Sequence, residues 1–265
     1  MVATSPVNEI PAAPIVALRR VGKAFANAVV ALDDFDFTVR HGEFVSLLGP
    51  SGCGKSTALR LIAGLAAPTS GAIEWGDTGQ PRNRALGFVF QEPTLMPWTD
   101  VFGNVHLPLK LKGLDRAAAA EHVDAALAGV GLADFAGAYP RELSGGMKMR
   151  VSIARALVTA PQLLLMDEPF AALDEITRFR LANDLLELWQ SLGKTVVFVT
   201  HSVFESVFLS NRIVVMTPRP GRVFAEIAID APYPREESFR TSPEYAGFTR
   251  RVSQALADAM AGGAR

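Results

Sequence analysis

The sequence predicts an α/β fold: a core with a mainly parallel sheet, an antiparallel β subdomain and an inserted α-helical subdomain. Three observations carry this. Apolar runs at Phe44–Leu48, Leu163–Met166, Val196–Val199 and Ile213–Met216 are separated by helical segments, as expected for parallel strands buried on both faces. The first run is followed by a Gly-rich turn and then by helical spacing from Thr57 to Leu65, stopping around Gly64 and Pro68, which reads as strand, loop, helix. The stretch Arg116–Leu132 is Ala-rich, with Val123, Leu127 and Val130 at spacings of four and three, which places helices there.

Taken in order, residues 1–14 alternate Pro with small residues and read as a flexible tail. Val16–Val39 consists of short apolar runs broken by Gly22 and Asp33–Asp34 and predicts antiparallel strands. A helix beginning near Gly146 ends at Ala160–Pro161, and an apolar-periodic segment from Tyr245 to Ala257 predicts a terminal helix. The expected organisation is a tail (1–14), a folded domain (15–231) with its helical subdomain at about 92–158, and a C-terminal extension (232–265). No internal repeat is visible.

At 265 residues the chain approaches the roughly 250–300 residues that one hydrophobic core supports. Its 49% hydrophobic content contains no run near the roughly 18 apolar residues of a membrane span. Twenty-six basic and 27 acidic residues leave a net charge of -1, with no Lys/Arg run to attract nucleic-acid phosphates, so nucleic acid is not an expected partner. The N-terminus has neither the basic region nor the apolar stretch of a signal peptide, and a cytosolic protein is expected. Cys53, the single cysteine, excludes an internal disulfide, and no zinc-ligand spacing occurs. Any metal is expected to arrive with a substrate.

The turn after the first run is Gly49-Pro50-Ser51-Gly52-Cys53-Gly54-Lys55-Ser56-Thr57. This is Gly, four residues, Gly-Lys-Ser/Thr, in strand-to-helix context. Glycines let backbone N–H groups curl around a phosphate, and the helix N-terminus favours negative charge. Lys55 then bridges β- and γ-phosphates and Ser56 offers a hydroxyl to Mg²⁺. The ordinary reading of Cys53 is a small residue filling a variable position. Leu163–Glu168 is an apolar strand ending in two carboxylates, where parallel sheets place their ligand crevice. Asp167 is suited to hold Mg²⁺ through a water, and Glu168 to polarise the water that attacks the γ-phosphate. Ser144 is a reasonable N-cap before a helix carrying Lys148, Arg150 and Arg155, and Gly145 and Gly146 leave backbone amides exposed as a second anion site. A Gly-rich turn, two solvated acids or an ordinary cap would each explain one of these patterns taken alone.

Together they resemble the ATP-binding subunits of ABC transporters, within the P-loop NTPase (RecA-like) fold. Gly49–Thr57 resembles the Walker A motif, Leu143–Met147 the signature and Leu163–Glu168 the Walker B motif. The resemblance runs from about Val16 to Arg222. Gln91 is similar to the Q-loop glutamine, a further Mg²⁺ ligand, Ala171–Asp174 to the D-loop, and His201 to the switch histidine. Phe25 sits where an aromatic ring stacks on adenine. The resemblance implies ATP and Mg²⁺ as cofactors, and a head-to-tail homodimer in which Ser144, Gly145 and Gly146 of one copy meet the nucleotide held by the other. It further implies membrane permease subunits as partners, a periplasmic or extracellular solute-binding protein as an indirect one, and a peripheral place on the cytoplasmic face of the membrane.

His201 follows a strand and precedes Ser202-Val203-Phe204-Glu205, which predicts a capping box with Ser202 as N-cap and Glu205 returning to its amide. His41, His106 and His122 lack such a setting and read as surface residues. Two departures from the commonest family pattern are Met147 in the signature and Ser202 after the histidine. Neither removes a group the chemistry needs. Thr94–Trp98, Gly146–Met147 and Met216–Arg222 resemble the nitrate, sulfonate and taurine importer branch, and Glu92–Trp98 resembles the surface that receives the permease. Alternatives are an ABC ATPase of another transport class or a non-transport regulatory subunit. A P-loop GTPase would need Asn-Lys-x-Asp, and no Lys here follows Asn.

Overall fold

The computed structural model describes residues 14–76 and 86–262. The predicted tail lies outside the described residues except for Pro14, which opens the first strand. The chain forms two compact units, the first from residues 14–76 and 195–262 and the second from 86–194 within the described range.

The first unit holds two sheets. Strands β1 (Pro14–Ala24), β2 (Val30–Arg40) and β4 (Ser70–Trp75) form an antiparallel sheet in the order β2-β1-β4. β2 shows the period of two that a half-buried strand requires: Phe35, Phe37 and Val39 are buried while the residues between them reach toward solvent. The other sheet places β3 (Phe44–Leu48) between β7 (Thr195–Thr200) and β8 (Arg212–Met216), both parallel to it, with β9 (Val223–Ala228) antiparallel on β8. β3, β7 and β8 are buried throughout, as their continuous apolar runs predict. β9 alternates half-buried and exposed residues at the sheet edge. The buried charge Glu43 is paired rather than isolated: Arg212 Nε and Nη2 donate to its two oxygens at 2.7 and 3.0 Å. Burial disfavours the Arg212 charge, but the hydrogen bonds and charges of Glu43 and Glu226 more than offset this and leave its pKa raised.

Helix α1 (Lys55–Ile62) follows β3, and α6 (Val203–Leu209) follows β7. Helix α7 (Pro243–Gly262) covers the expected terminal helix and begins earlier. The segment between β9 and α7 packs on α6. Arg235 is buried, and its Nη1 donates to the carbonyls of Val207, Phe208 and Ser210 at 2.9–3.0 Å, its Nη2 to those of Ile229 and Ala231. The last carbonyls of a helix need partners, and this one guanidinium supplies several. The hydroxyls of Tyr233 and Tyr245 add donors to Leu209 and Phe204 carbonyls, both at 2.9 Å.

In the second unit β5 (Leu86–Val89) pairs in parallel with β6 (Leu163–Asp167). Helices α2 (Val101–Leu111), α3 (Ala120–Gly129) and α4 (Gly145–Leu157) lie between 101 and 157, and α5 (Glu175–Leu192) follows β6. Asp100 caps α2, accepting from the Gly103 amide at 2.6 Å. Arg150 of α4 reaches Asp184 of α5 at 2.5 Å, which ties the two helices.

An expectation about a histidine fails in this unit. His106 was expected at the surface, yet it is only 7% exposed, and its Nε2 lies 3.0 Å from the Leu114 carbonyl. The chain turns back after α2, and the carbonyl it brings over satisfies the imidazole.

Candidate nucleotide site

Gly49–Thr57 joins β3 to α1, as the strand–loop–helix reading requires. Its curvature rests on glycines. Gly52 and Gly54 have φ of 75° and 107°, a left-handed region costly for other residues, and a Cβ on Gly54 would stand 2.6 Å from the Ala31 carbonyl. Gly54 is also the N-cap of α1, so the free amides of that helix open at the loop. Lys55 is 4% exposed, and its Nζ donates to the Gly49 and Pro50 carbonyls at 2.9 and 3.0 Å. A buried ammonium beside the free amides of a helix start is an arrangement suited to a polyphosphate. Pro50, Ser51, Ser56 and Thr57 complete the loop, and Cys53 is buried behind it.

Two other predicted residues belong to the same unit. Phe25, 44% exposed, opens the turn between β1 and β2, with Lys23 Nζ 5.4 Å from its ring centroid. An exposed ring of this kind is available to stack on a base. His201 lies exposed between β7 and α6. Ser202 caps α6 as expected, accepting from the Glu205 amide at 3.3 Å. The returning arm runs through Thr200. The Ser202 amide donates to Thr200 Oγ1 at 3.0 Å, and that hydroxyl donates to Glu205 Oε2 at 2.5 Å. A residue upstream of the histidine and two downstream therefore share one hydrogen-bonded chain.

The second unit carries the remaining candidates. Asp167 closes β6 in a buried position, and Glu168 follows half-buried with φ of 45°. A left-handed conformation at a non-glycine residue costs about 1–3 kcal/mol and is typical of functional turns. Asp174 caps α5, accepting from the Thr177 amide at 3.0 Å, and its bonds to Thr177 hold its carboxyl below the usual range. Gln91 is exposed just after β5. Ser144 caps α4, accepting from the Met147 amide at 3.3 Å.

The two signature glycines differ. Gly145 is exposed, but Gly146 is buried, and a Cβ there would come 2.7 Å from Thr177 Cγ2. The expectation that both glycines expose their amides is therefore corrected. Gly146 is small because α5 packs on it.

Residues the motifs did not reveal support this unit. Asn104, fully buried in α2, accepts from the Met96 amide at 2.7 Å and donates to the carbonyls of Met96, Thr99 and Asp100. It fixes the loop that holds Trp98 77% exposed. Beside that tryptophan lies a groove of about 560 Å³ lined by Met96, His106, Lys110, Asp115 and Arg116 among others. A buried Asn on an apolar helix is the one sequence signal that could have found this support.

A family model described as ABC transporter matches residues 32–171. This chain belongs to the ABC transporter family, as an ATP-hydrolysing member. It is 49% identical to an ATP-binding protein of Brucella abortus, over 86% of this chain and 88% of the relative. It is 43% identical to the nitrate import ATP-binding protein NrtD of Synechocystis, over 90% and 92%. The aliphatic sulfonates import protein SsuB of Bacillus licheniformis is 44% identical, over 83% and 85%. Among solved structures, cbiO1 of Clostridium perfringens, part of the ABC transporter complex cbiONQ, aligns with a TM-score of 0.75 at 25% identity, covering 93% of this chain and 97% of that one. The cassette MJ0796, a dimer bound to ADP and Pi, aligns with a TM-score of 0.70 at 33% identity, covering 82% and 99%.

Proposed function

We propose that this chain is the ATPase subunit of an importer for a small anion such as nitrate, an alkanesulfonate or taurine. The observation that carries the nucleotide chemistry is Lys55, buried and parked on the carbonyls of its own phosphate loop. The transport reading is supported by the relatives named for nitrate and sulfonate import.

In this reading Phe25 stacks on adenine while the amides of Gly52–Thr57 receive the phosphates. Lys55 exchanges its two carbonyl partners for β- and γ-phosphate oxygens, a stronger charge-assisted bond. Ser56, Gln91 and Asp167 offer a hydroxyl, an amide oxygen and a carboxylate, the hard oxygen donors that suit Mg²⁺. That ion, when bound, neutralises charge on the β- and γ-phosphate oxygens. Glu168 accepts the proton of the attacking water, whose oxygen bonds to the γ-phosphorus as the bond to the bridging oxygen breaks, leaving ADP and phosphate. His201 donates to a γ-phosphate oxygen and holds it in line.

A second copy completes the arrangement, its Ser144 and Gly145 facing the nucleotide held here with Gly146 buried behind them, and with Asp174 beside that contact. The dimeric MJ0796 structure supports this pairing. The exposed Trp98 and its groove receive permease subunits, which hold the chain at the cytoplasmic face of the membrane and act with a separate solute-binding protein. Among the described residues no helix is long and apolar enough to cross a membrane, so membrane attachment in this reading runs through the permease.

The test is ATP turnover by the purified chain together with uptake of labelled nitrate, taurine and an alkanesulfonate by cells. Glu168→Gln is expected to remove turnover by about 100-fold or more, the scale of a lost general base, while ATP binding persists. Trp98→Asp is expected to abolish uptake and leave turnover in place. Normal uptake in the Trp98→Asp cells sinks the docking role, and uptake of none of the three anions sinks the proposed cargo.

A further inference from the structure

The loop Thr217–Arg222, between β8 and β9, has no part in the chemistry proposed above, yet it touches the phosphate loop in two places. It is closed on itself. The Thr217 amide donates to the Arg222 carbonyl, the Thr217 hydroxyl donates to the Pro220 carbonyl, and the Arg222 amide donates back to that hydroxyl, each at 3.0 Å. One side is fastened to β2. The Gly221 amide donates to the Ala31 carbonyl at 2.9 Å, the Gly221 carbonyl accepts from the Asp33 amide at 3.2 Å, and the Arg222 guanidinium pairs with Asp33.

The other side rests on the phosphate loop. Gly221 packs against the Cys53 carbonyl so closely that a Cβ would collide with that oxygen, with Met216 Cε only 2.9 Å away. Arg219 Nε and Nη2 both donate to the Gly52 carbonyl, at 3.1 and 3.0 Å. This bond has a directional consequence. The C=O and N–H of one planar trans peptide unit point opposite ways, so holding the Gly52 oxygen toward Arg219 turns the Cys53 amide to the inner side of the loop. There it donates to the Pro50 carbonyl at 3.3 Å.

We propose that Arg219 is a positioning residue for ATP. It fixes the Gly52–Cys53 peptide in the phosphate-receiving orientation before nucleotide arrives, and through Gly221 and Arg222 it ties the phosphate loop to the strand that leaves the Phe25 turn. The inference rests on the reading that Gly49–Thr57 holds the phosphates. Without the guanidinium, the Gly52 carbonyl loses these two donors and the peptide is held less firmly, with a glycine on one side that permits rotation, so that ordering it adds to the cost of binding.

The experiment uses the purified full chain, titrated with a fluorescent ATP analogue and assayed for ATP turnover with Mg²⁺. Arg219→Met keeps the aliphatic stem and removes the donors. It is expected to weaken nucleotide binding and raise KM about tenfold, the scale of one charged hydrogen bond, with kcat within about twofold because the bound geometry is the same. Arg219→Lys, with one ammonium in place of the fork, is expected to recover part of the affinity. Since Arg219 is exposed, the melting temperature without nucleotide should stay within about 2 °C of the parent. A lowered melting temperature with unchanged affinity, or wild-type affinity in Arg219→Met while Lys55→Ala loses binding, overturns the role of Arg219. Unchanged binding in Lys55→Ala overturns the phosphate-loop reading instead.

Discussion

Arg155, near the end of the helix that Ser144 caps, holds Thr94 by two bonds: Nη1 donates to the Thr94 carbonyl at 2.9 Å and Nη2 to its hydroxyl at 3.1 Å. Nη2 also donates to the Pro93 carbonyl at 2.8 Å. Burial lowers the pKa of this guanidinium, yet it stays charged at any physiological pH. Thr94 has φ of 46°, so the guanidinium secures a turn that the backbone alone disfavours. One end of α4 thus carries the signature residues, and the other grips the segment that leads to Trp98.

Arg155→Ala is therefore expected to separate transport from hydrolysis. ATP turnover by the purified chain should persist while uptake in cells falls, and the melting temperature should drop by an amount equivalent to about 1–3 kcal/mol, the scale of lost hydrogen bonds from a charged donor. Uptake at the parental level per ATP consumed would show that the grip on Thr94 transmits nothing.

Arg235→Ala removes a buried side chain whose five bonds reach carbonyls around the end of α6. A loss of about 3–5 kcal/mol is expected, the range for breaking a buried charged network from one side. Chemical denaturation measures it, and a loss below about 1 kcal/mol contradicts the capping role assigned to the guanidinium.

Burial pushes the Tyr245 phenol up to about 12, opposed by the charge of Arg240 and helped by that of Glu205. A pKa raised by folding means that the unfolded chain loses its proton first, near pH 10. Stability is then fully present below pH 10 and declines as pH rises from 10 to 12. Buried Tyr233 is shifted in the same direction by desolvation. Tyr245→Phe should unfold with a shallower pH dependence in that interval, in urea titrations from pH 9 to 12. An identical slope in both proteins would place the titration elsewhere.

Cys53 is buried behind the phosphate loop, and its sulfur would stand 2.9 Å from a Cβ on Gly49. No room exists there for an added group. A bulky thiol reagent is expected to react far more slowly than with a free thiol, and the fully modified chain to lose ATP turnover. Complete modification, verified by mass, with turnover undiminished contradicts the packing.

Much of this arrangement is legible in the residues because its signals are local. The glycine pattern of the phosphate loop specifies positive φ where the structure has it, at Gly52 and Gly54, and the side chains of Ser144, Asp174 and Ser202 cap the helices they precede. What escaped depends on partners outside the element that carries the residue. His106 is satisfied by a carbonyl at Leu114, and Gly146 is closed over by Thr177 from another helix. β4 and β9 lack the continuous apolar runs of the central strands because each faces solvent on one side. α2 carries Pro108 within it, a residue that ordinarily argues against a helix.

The pairing of β3 also sets a timetable for the newly made chain. Val45 lies beside Val197 on one side and Arg212 on the other, so the strand that presents the phosphate loop acquires both neighbours only after residues 84–194 have been synthesised. Parallel partners this remote in sequence form slowly and leave apolar strand edges open meanwhile. Refolding followed through Lys55-dependent nucleotide binding should trail the burial of Trp189 in α5, and simultaneous recovery would refute that order. The nucleotide loop is translated before either neighbour of its strand and becomes usable only after both.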